Sequence, residues 1–181
     1  MGHRAGGLIL IPKGITHRAM LCPDSQDENI LIEFKLIGDY ANETIGRVRV
    51  KIDVGGFSLN CKIEGPADAP CITLSHALAN DLTLWDDQAK LLRDRYRVLR
   101  YDQRGHGQSD APQGSYSFED LMGAVIVLWD HLEIGQSHWM GLSIGGMMGY
   151  GLAQNFGDRL LSQIACKSRP DAPPDYQDYF Q

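Results

Sequence analysis

The 181-residue sequence predicts an α/β fold in which a mostly parallel sheet carries helices on both faces. Between Cys71 and Cys166, short apolar segments alternate with stretches in which apolar residues recur at helical spacing. Before Cys71, residues 47–65 alternate strictly between apolar and polar side chains, which is typical of half-buried hairpin strands. In a parallel sheet the functional residues gather at the carboxyl ends of the strands, so we look for them in the loops that follow each strand.

Composition and charge restrict the possible partners. Hydrophobic residues make up 43% of the chain, which is enough for a packed core, and the net charge of −6 offers no basic surface for nucleic acid or an anionic membrane. The apolar run from Leu8 to Ile11 is cut off by Pro12, so no export signal or membrane anchor is expected. The scattered cysteines have neither zinc nor C-x-x-C spacing, which predicts reduced, mostly buried thiols and a cytoplasmic location. They are Cys22, Cys61, Cys71 and Cys166.

Residues 1–46 differ from the rest and have the pattern of a β hairpin, with strand-like runs from Leu8 to Ile11 and from Ile30 to Ile37. The segment G-G-L-I-L-I-P-K-G-I-T-H, which ends at His17, resembles the second conserved motif of the cupin barrel, although Leu21 replaces the usual Asn. By this resemblance His17 would be a metal ligand. One histidine cannot hold a transition metal tightly, so we expect no metal and interpret His17 as an ordinary turn residue. We treat residues 1–46 as a cupin-like β fragment and residues 47–181 as a second unit.

The predicted elements of the second unit follow in order. Two strands within residues 47–65 are joined by Gly55-Gly56, and Cys71 to Ser75 is a short buried strand. Trp85 to Arg95 is predicted as a helix and Tyr96 to Tyr101 as a strand. Ser117 is placed to cap a long helix, with Asp120 at the capping-box position. The last elements are a strand from Ser137 to Leu142, a helix that ends at Asn155 to Gly157, and a strand from Leu160 to Cys166.

The stretch from His138 to Gly146 contains the pattern G-x-S-x-G, with Ser143 between Gly141 and Gly145. A serine that attacks a carbonyl must stand clear of the sheet, and a strained turn from strand to helix achieves this where glycines permit close approach. The backbone N–H of Ile144, at the helix start, would point toward negative charge forming beside Ser143. The stretch therefore predicts a nucleophile with part of an oxyanion hole.

Two further stretches accompany this motif: S-H-A-L-A-N-D-L-T-L-W-D from Ser75 to Asp86, and Y-D-Q-R-G-H-G-Q-S-D from Tyr101 to Asp110. Together with G-L-S-I-G-G they resemble the α/β-hydrolase fold in order and spacing. Within that superfamily the D-L-x-x-W-D and D-x-R-G-H-G-x-S-D runs resemble those of 3-oxoadipate enol-lactonases. The resemblance covers residues 47–181 and implies an incomplete α/β-hydrolase sheet that needs no cofactor.

The resemblance also implies roles for individual residues. Ser143 would be the acyl-accepting nucleophile, and the backbone N–H groups of Ile144 and of Ala77 or Leu78 would form the oxyanion hole. His76 and His106 are expected to shape their loops rather than to carry protons.

For Asp102 and Arg104 we expect a local ion pair, with a substrate-carboxylate role for Arg104 as an alternative. Some large apolar residues near these motifs are assigned to the core rather than to a substrate pocket. They are Trp129, Met147 and Met148.

The same resemblance leaves the catalytic site incomplete. In this fold the acid and then the histidine follow the serine along the chain, whereas all six histidines here precede Ser143. We therefore expect the acid and histidine of the triad to be missing from this sequence. The strand from Leu160 to Cys166 would then be an unpaired apolar edge through which the chain could self-associate.

The leading hypothesis is hydrolysis of a small lactone or ester through an acyl-Ser143 intermediate, with a 3-oxoadipate enol-lactone as the expected type of substrate. Two alternatives stay open. The chain could be a catalytically inactive fragment or fusion product, or an esterase or cofactor-free haloperoxidase on the same scaffold.

Overall fold

The computed structural model describes residues 9–10 and 48–170, and the described residues form one seven-stranded mixed sheet. The strands are β1 (Ile9–Leu10), β2 (Val48–Asp53), β3 (Ser58–Glu64), β4 (Cys71–Ser75), β5 (Arg97–Tyr101), β6 (Ser137–Leu142) and β7 (Leu160–Cys166). The helices are α1 (Asp86–Leu92), α2 (Phe118–His131) and α3 (Ile144–Asn155), with short 3₁₀ turns at Leu82–Trp85 and Gly157–Arg159. His17 and Cys22 lie outside the described residues.

The strand order across the sheet is β1-β7-β6-β4-β5-β3-β2. Strands β5, β4, β6 and β7 are parallel, whereas β2 and β3 form an antiparallel hairpin and β1 pairs antiparallel with β7. The predicted α/β fold with a mostly parallel sheet is thus confirmed.

The hairpin of β2 and β3 has the register that the alternating sequence predicts. Ile52 lies opposite Leu59 and Val50 opposite Cys61, so the apolar side chains share one face. The turn is held by the Asp53 carboxylate, which accepts hydrogen bonds from the amides of the next two glycines at 2.8 and 3.0 Å. Those glycines have φ angles of +105° and +99°, which a side chain would disfavour.

Helices cover both faces of the sheet. One face is covered by α2 and α3. Trp129 of α2 and Met148 of α3 are fully buried there, in one cluster with Trp139 of β6. On the other face, α1 buries Ala89, together with Trp85 just before it, against the apolar side chains of β4 and β5. Met147, which was assigned to the core, is only half-buried.

The helix ends follow their capping residues. Asp120 accepts a hydrogen bond from the Ser117 amide at 2.7 Å while the Ser117 hydroxyl accepts one from the Asp120 amide at 3.2 Å, which confirms the predicted capping box. The helix predicted from Trp85 to Arg95 instead begins as a 3₁₀ turn at Leu82, because the Asp81 carboxylate caps the Thr83 amide at 2.8 Å.

The prediction of an unpaired edge at β7 is wrong in the C-terminal half of the strand. Ile164 pairs with Leu10 and Ala165 with Ile9, so a segment from the N-terminal region covers this part of the strand. The cysteines in the described residues are free thiols; Cys61 and Cys71 are buried, and Cys166 is half-buried. Among the described residues, no helix has both the length and the apolar character required to cross a membrane.

Candidate active site

The sheet topology brings three loops to one edge. Strand β4 lies between β5 and β6, and Ser75 at its end is in register with Tyr101 on one side and Gly141 on the other. Because the three strands are parallel, the residues that follow them meet at the same carboxyl edge. The motifs at residues 76–86, 102–110 and 143–146 are therefore neighbours.

Ser143 occupies the sharp turn between β6 and α3. Its backbone has φ +53° and ψ −115°, an arrangement that residues with a side chain rarely adopt. The turn is fixed by hydrogen bonds from the Ser143 amide to Cys166 O at 3.0 Å and from Met147 N to Ser143 O at 3.0 Å. Within the described part of the chain, Oγ of Ser143 has no hydrogen-bond partner, and the residue is half-exposed. The hydroxyl is thus available to a ligand.

The two glycines of the motif are required by close contacts. A Cβ on Gly141 would lie 2.1 Å from the backbone of Gly145, and a Cβ on Gly145 would lie 2.4 Å from the carbonyl oxygen of Ser75. Atoms this close must move apart, so any side chain here would displace the turn from the neighbouring loop. The start of α3 is consequently packed directly against the end of β4.

Backbone amides near Ser143 are free to bind negative charge. Ile144 is the first residue of α3, and its N–H has no acceptor among the described residues. The same holds for the N–H groups of Ala77 and Leu78 in the loop after β4. Unpaired amides at a helix start attract anions, both as donors and through the helix dipole.

His76 is fully buried and uses both of its ring nitrogens. Nε2 accepts a hydrogen bond from the Gln103 amide at 2.9 Å, so the proton lies on Nδ1, which donates to Ala77 O at 2.7 Å. Burial lowers the pKa of His76, and the ring is therefore neutral near pH 7. The ring ties the loop after β4 to the loop after β5 and has no nitrogen left for proton transfer.

The expected ion pair between Asp102 and Arg104 is absent from the salt bridges of residues 48–170. Asp102 is buried, and its carboxylate accepts hydrogen bonds from Asn60 Nδ2 at 2.6 Å, Leu82 N at 2.7 Å and Gln108 N at 2.8 Å. Arg104 points elsewhere: its guanidinium carbon lies 4.4 Å from the centre of the Tyr116 ring and 4.9 Å from that of Phe57. Neutral donors satisfy the carboxylate, and aromatic faces hold the cation.

His106 braces the loop after β5. Its Nδ1 donates to Arg104 O at 3.0 Å, and its ring centre is 5.2 Å from that of His76. A Cβ on Gly107 would lie 2.3 Å from the Asp102 carboxyl group, which explains the glycine in G-H-G. A polar cleft of about 450 Å³ opens between residues 79–83 and this loop. Among the described residues, no cluster of His, Cys, Asp or Glu could hold a metal ion.

Sequence reasoning missed Gln103, whose buried side chain contacts the end of β4 and the loop that follows it. The residue is buried, and its Nε2 donates to His76 O at 2.7 Å and to Ser75 Oγ at 3.2 Å. The signal that could have found it is a polar residue two positions after the buried strand β5, at the carboxyl edge of the sheet.

Comparisons with known proteins agree with the sheet topology. A family model described as alpha/beta hydrolase fold matches residues 70–181. The chain is similar to 3-oxoadipate enol-lactonase 2 of Acinetobacter baylyi, with 41% identity over 61% of this chain and 42% of the relative. It is also similar to the crystal structure of the enol-lactonase from Burkholderia xenovorans LB400, with 43% identity, a TM-score of 0.60 and coverage of 61% of this chain and 44% of that one.

A thermophilic esterase from Thermogutta terrifontis, solved with malate bound, is 31% identical with a TM-score of 0.64 and covers 72% of this chain and 50% of that chain. The chain spans 42% and 34% of the length of the two enol-lactonases from Acinetobacter baylyi. The family match begins at residue 70, so it does not bear on the cupin-like expectation for residues 1–46.

Proposed function

The chain belongs to the α/β-hydrolase fold family, and from this premise we propose that it is a serine hydrolase that opens a small lactone or ester through Ser143. The observation that carries the proposal is the backbone of Ser143. A positive φ of 53° at a strand-to-helix turn displays the hydroxyl beside the N–H of Ile144, which has no acceptor among the described residues. Strain of this kind is retained where a side chain has to be displayed.

In the proposed reaction, Oγ of Ser143 attacks the carbonyl carbon, and the carbonyl oxygen takes up negative charge. The N–H groups of Ile144 and of Ala77 or Leu78 donate to this oxygen. The bond between the carbonyl carbon and the ring oxygen then breaks, and the ring oxygen receives the proton lost by Ser143. Water hydrolyses the acyl-Ser143 ester and releases the carboxylic acid. No cofactor takes part in the proposed reaction.

We assign no general base within these 181 residues. All six histidines precede Ser143, whereas the base of this fold follows it, and both nitrogens of His76 are occupied. A serine hydroxyl without a base is a poor nucleophile. We therefore expect the chain by itself to acylate slowly, at a rate that an external base can raise.

An enol-lactone is the proposed substrate because the enol-lactonases of Acinetobacter baylyi and Burkholderia xenovorans share 41% and 43% identity with this chain, each over 61% of its length. A simple ester is the second candidate, supported by the 31% identical esterase structure. The reduced thiols of Cys61, Cys71 and Cys166 favour a cytoplasmic setting for the reaction.

The experiment is covalent labelling with a fluorophosphonate probe, followed by peptide mass mapping. We expect a single label on the peptide that contains Ser143, and a labelling rate that rises with added imidazole, which substitutes for the base. Ser143→Ala should abolish the label. Ser162→Ala, a matched change at a half-buried serine on β7, should retain it. Labelling of Ser143→Ala at the wild-type rate would overturn the proposal.

The two substrate candidates are separated by acylation under the same conditions. Intact mass measurements would follow acyl-enzyme formed from an enol-lactone and from p-nitrophenyl acetate, both with imidazole present. Faster acylation by the enol-lactone supports the first candidate, and the reverse order supports the esterase.

A further inference from the structure

Both main-chain polar groups of Ser143 are bound by the segment at the end of β7. The Ser143 N–H donates to Cys166 O at 3.0 Å, and Ser168 Oγ donates to Ser143 O at 2.9 Å. A backbone carbonyl oxygen can only accept, so the hydroxyl of Ser168 is the donor in the second bond. Residues 166–168 therefore hold the nucleophile's backbone on both sides, at the residue whose φ of +53° marks the strained turn.

The approach of Ser168 requires the last glycine of the G-L-S-I-G-G stretch. A Cβ on Gly146 would lie 2.5 Å from Cβ of Ser168 and 2.7 Å from its Oγ. Any side chain at position 146 would therefore push Ser168 away from Ser143 O. Lys167, which connects Ser168 to β7, has φ +43°, a conformation that residues with a side chain seldom adopt. The protein thus keeps a strained backbone and a bare glycine where this hydrogen bond forms, which points to a purpose for the bond.

The carbonyl that Ser168 binds belongs to the same peptide unit as the N–H of Ile144. This carbonyl also accepts the first hydrogen bond of α3, from Met147 N at 3.0 Å. In a trans peptide the C=O and the next N–H lie in one plane and point in opposite directions, so a second donor on Ser143 O fixes the direction of the Ile144 N–H. The second donor also draws electrons toward the oxygen, which makes this N–H a stronger donor.

We propose that Ser168 is a positioning residue for the Ser143–Ile144 peptide. Its hydroxyl orients and strengthens the Ile144 N–H as a donor to the negative charge that forms on the carbonyl oxygen under attack. The inference rests on the proposed hydrolase function. Without the hydroxyl of Ser168, Ser143 O keeps only the bond from Met147, so the peptide can tilt and its N–H donates more weakly.

One substitution and one matched control separate positioning from stability. Ser168→Ala removes the proposed donor at a half-buried position. The control is Ser137→Ala, which removes a buried hydroxyl that donates to His138 O at 2.8 Å and lies 2.9 Å from Thr73 Oγ1. Both variants lose a serine hydroxyl bonded to a backbone carbonyl, but Ser137 begins β6, whereas Ser143 follows the other end of that strand. Urea unfolding verifies that both variants are folded.

The first measurement is the HNCO cross-peak that joins the carbonyl carbon of Ser143 to the N–H of Ile144 in ¹³C,¹⁵N-labelled protein. A carbonyl carbon resonates further downfield when its oxygen accepts a hydrogen bond. Ser168→Ala should therefore move the Ser143 carbonyl carbon upfield and shift the Ile144 N–H with it. Ser137→Ala should leave this cross-peak at its wild-type position. An unmoved cross-peak in Ser168→Ala would overturn the inference.

The second measurement is the phosphonylation rate of Ser143 by the fluorophosphonate probe, with imidazole present. Removing an oxyanion donor outright slows such reactions about a hundredfold or more. Ser168→Ala only weakens and misaligns the donor, so we expect the rate at saturating probe to fall about three- to tenfold, with the half-saturating probe concentration little changed. Ser137→Ala should stay within about twofold of wild type.

The outcomes separate the inference from the proposed function. Equal slowing by the two variants, or a wild-type rate in Ser168→Ala, would overturn the inference. Absence of phosphonylation in wild type would instead defeat the proposed function, and the cross-peak would then decide whether Ser168 holds the Ser143–Ile144 peptide.

Discussion

Replacing Ser143 by glycine should make the protein more stable while it removes the proposed nucleophile. The backbone of Ser143, at φ +53° and ψ −115°, lies outside the regions favoured by residues with a side chain. Holding such a residue there costs about 1–3 kcal/mol. Glycine removes that cost but adds about 0.5–1 kcal/mol of unfolded-state entropy. The net gain expected for Ser143→Gly is therefore about 1 kcal/mol.

Ser143→Ala keeps the strain and removes only a half-exposed hydroxyl that has no partner among the described residues. Its stability should stay within about 0.5 kcal/mol of wild type. The matched control is Gly123 in the middle of α2, where an added Cβ meets nothing within 4 Å. In that ordinary helical position alanine should be about 1 kcal/mol more stable than glycine. The order of glycine and alanine is thus opposite at the two sites.

Urea unfolding of wild type and of the three variants, Ser143→Gly, Ser143→Ala and Gly123→Ala, measures these differences. Thermal melts should show shifts of about 2–4 °C per kcal/mol for a chain of this size. Equal stability of Ser143→Ala and Ser143→Gly, with the Gly123 control behaving as expected, would contradict this order. That result would mean that the turn stores no strain at the serine.

Three further changes test other parts of the site. Gly145→Ala places a Cβ 2.4 Å from Ser75 O, so urea unfolding should show a loss of about 1–3 kcal/mol; a loss under 0.5 kcal/mol would contradict the close contact. Burial lowers the pKa of His76, so its contribution to stability is present above the unfolded pKa of about 6.5 and is lost as the pH falls. His76→Gln should accordingly flatten the decline in unfolding free energy between about pH 7 and pH 5, and an unchanged slope would argue against a neutral buried ring. Burial raises the pKa of Cys61 to about 12, so iodoacetamide should modify half-buried Cys166 first in peptide mapping, and the reverse order would show that Cys61 is accessible.

The elements that sequence reasoning predicted best are encoded locally. The turn at Ser143 is specified within nine residues, because an apolar strand, two glycines at fixed offsets and a helix start leave few other conformations. The capping box of Ser117 and Asp120 and the Gly55-Gly56 hairpin are local in the same way. Each of these patterns carries its own steric or hydrogen-bonding reason.

The features that sequence reasoning missed depend on residues far apart in the chain. The Asp102 carboxylate binds donors from Leu82 and Asn60, 20 and 42 residues away, so its nearness to Arg104 in sequence was a poor guide. The pairing of Ile9 with Ala165 likewise joins two segments that are distant in the sequence, and no short sequence pattern predicts it. Such contacts appear only once the sheet order is known.

The most direct test of the central claim is a crystal structure of the chain after reaction with a fluorophosphonate. We expect phosphorus bonded to Oγ of Ser143, with the phosphonyl oxygen about 2.7–3.1 Å from the backbone nitrogens of Ile144 and of either Ala77 or Leu78. An adduct on another residue, or a phosphonyl oxygen turned away from both amides, would contradict it.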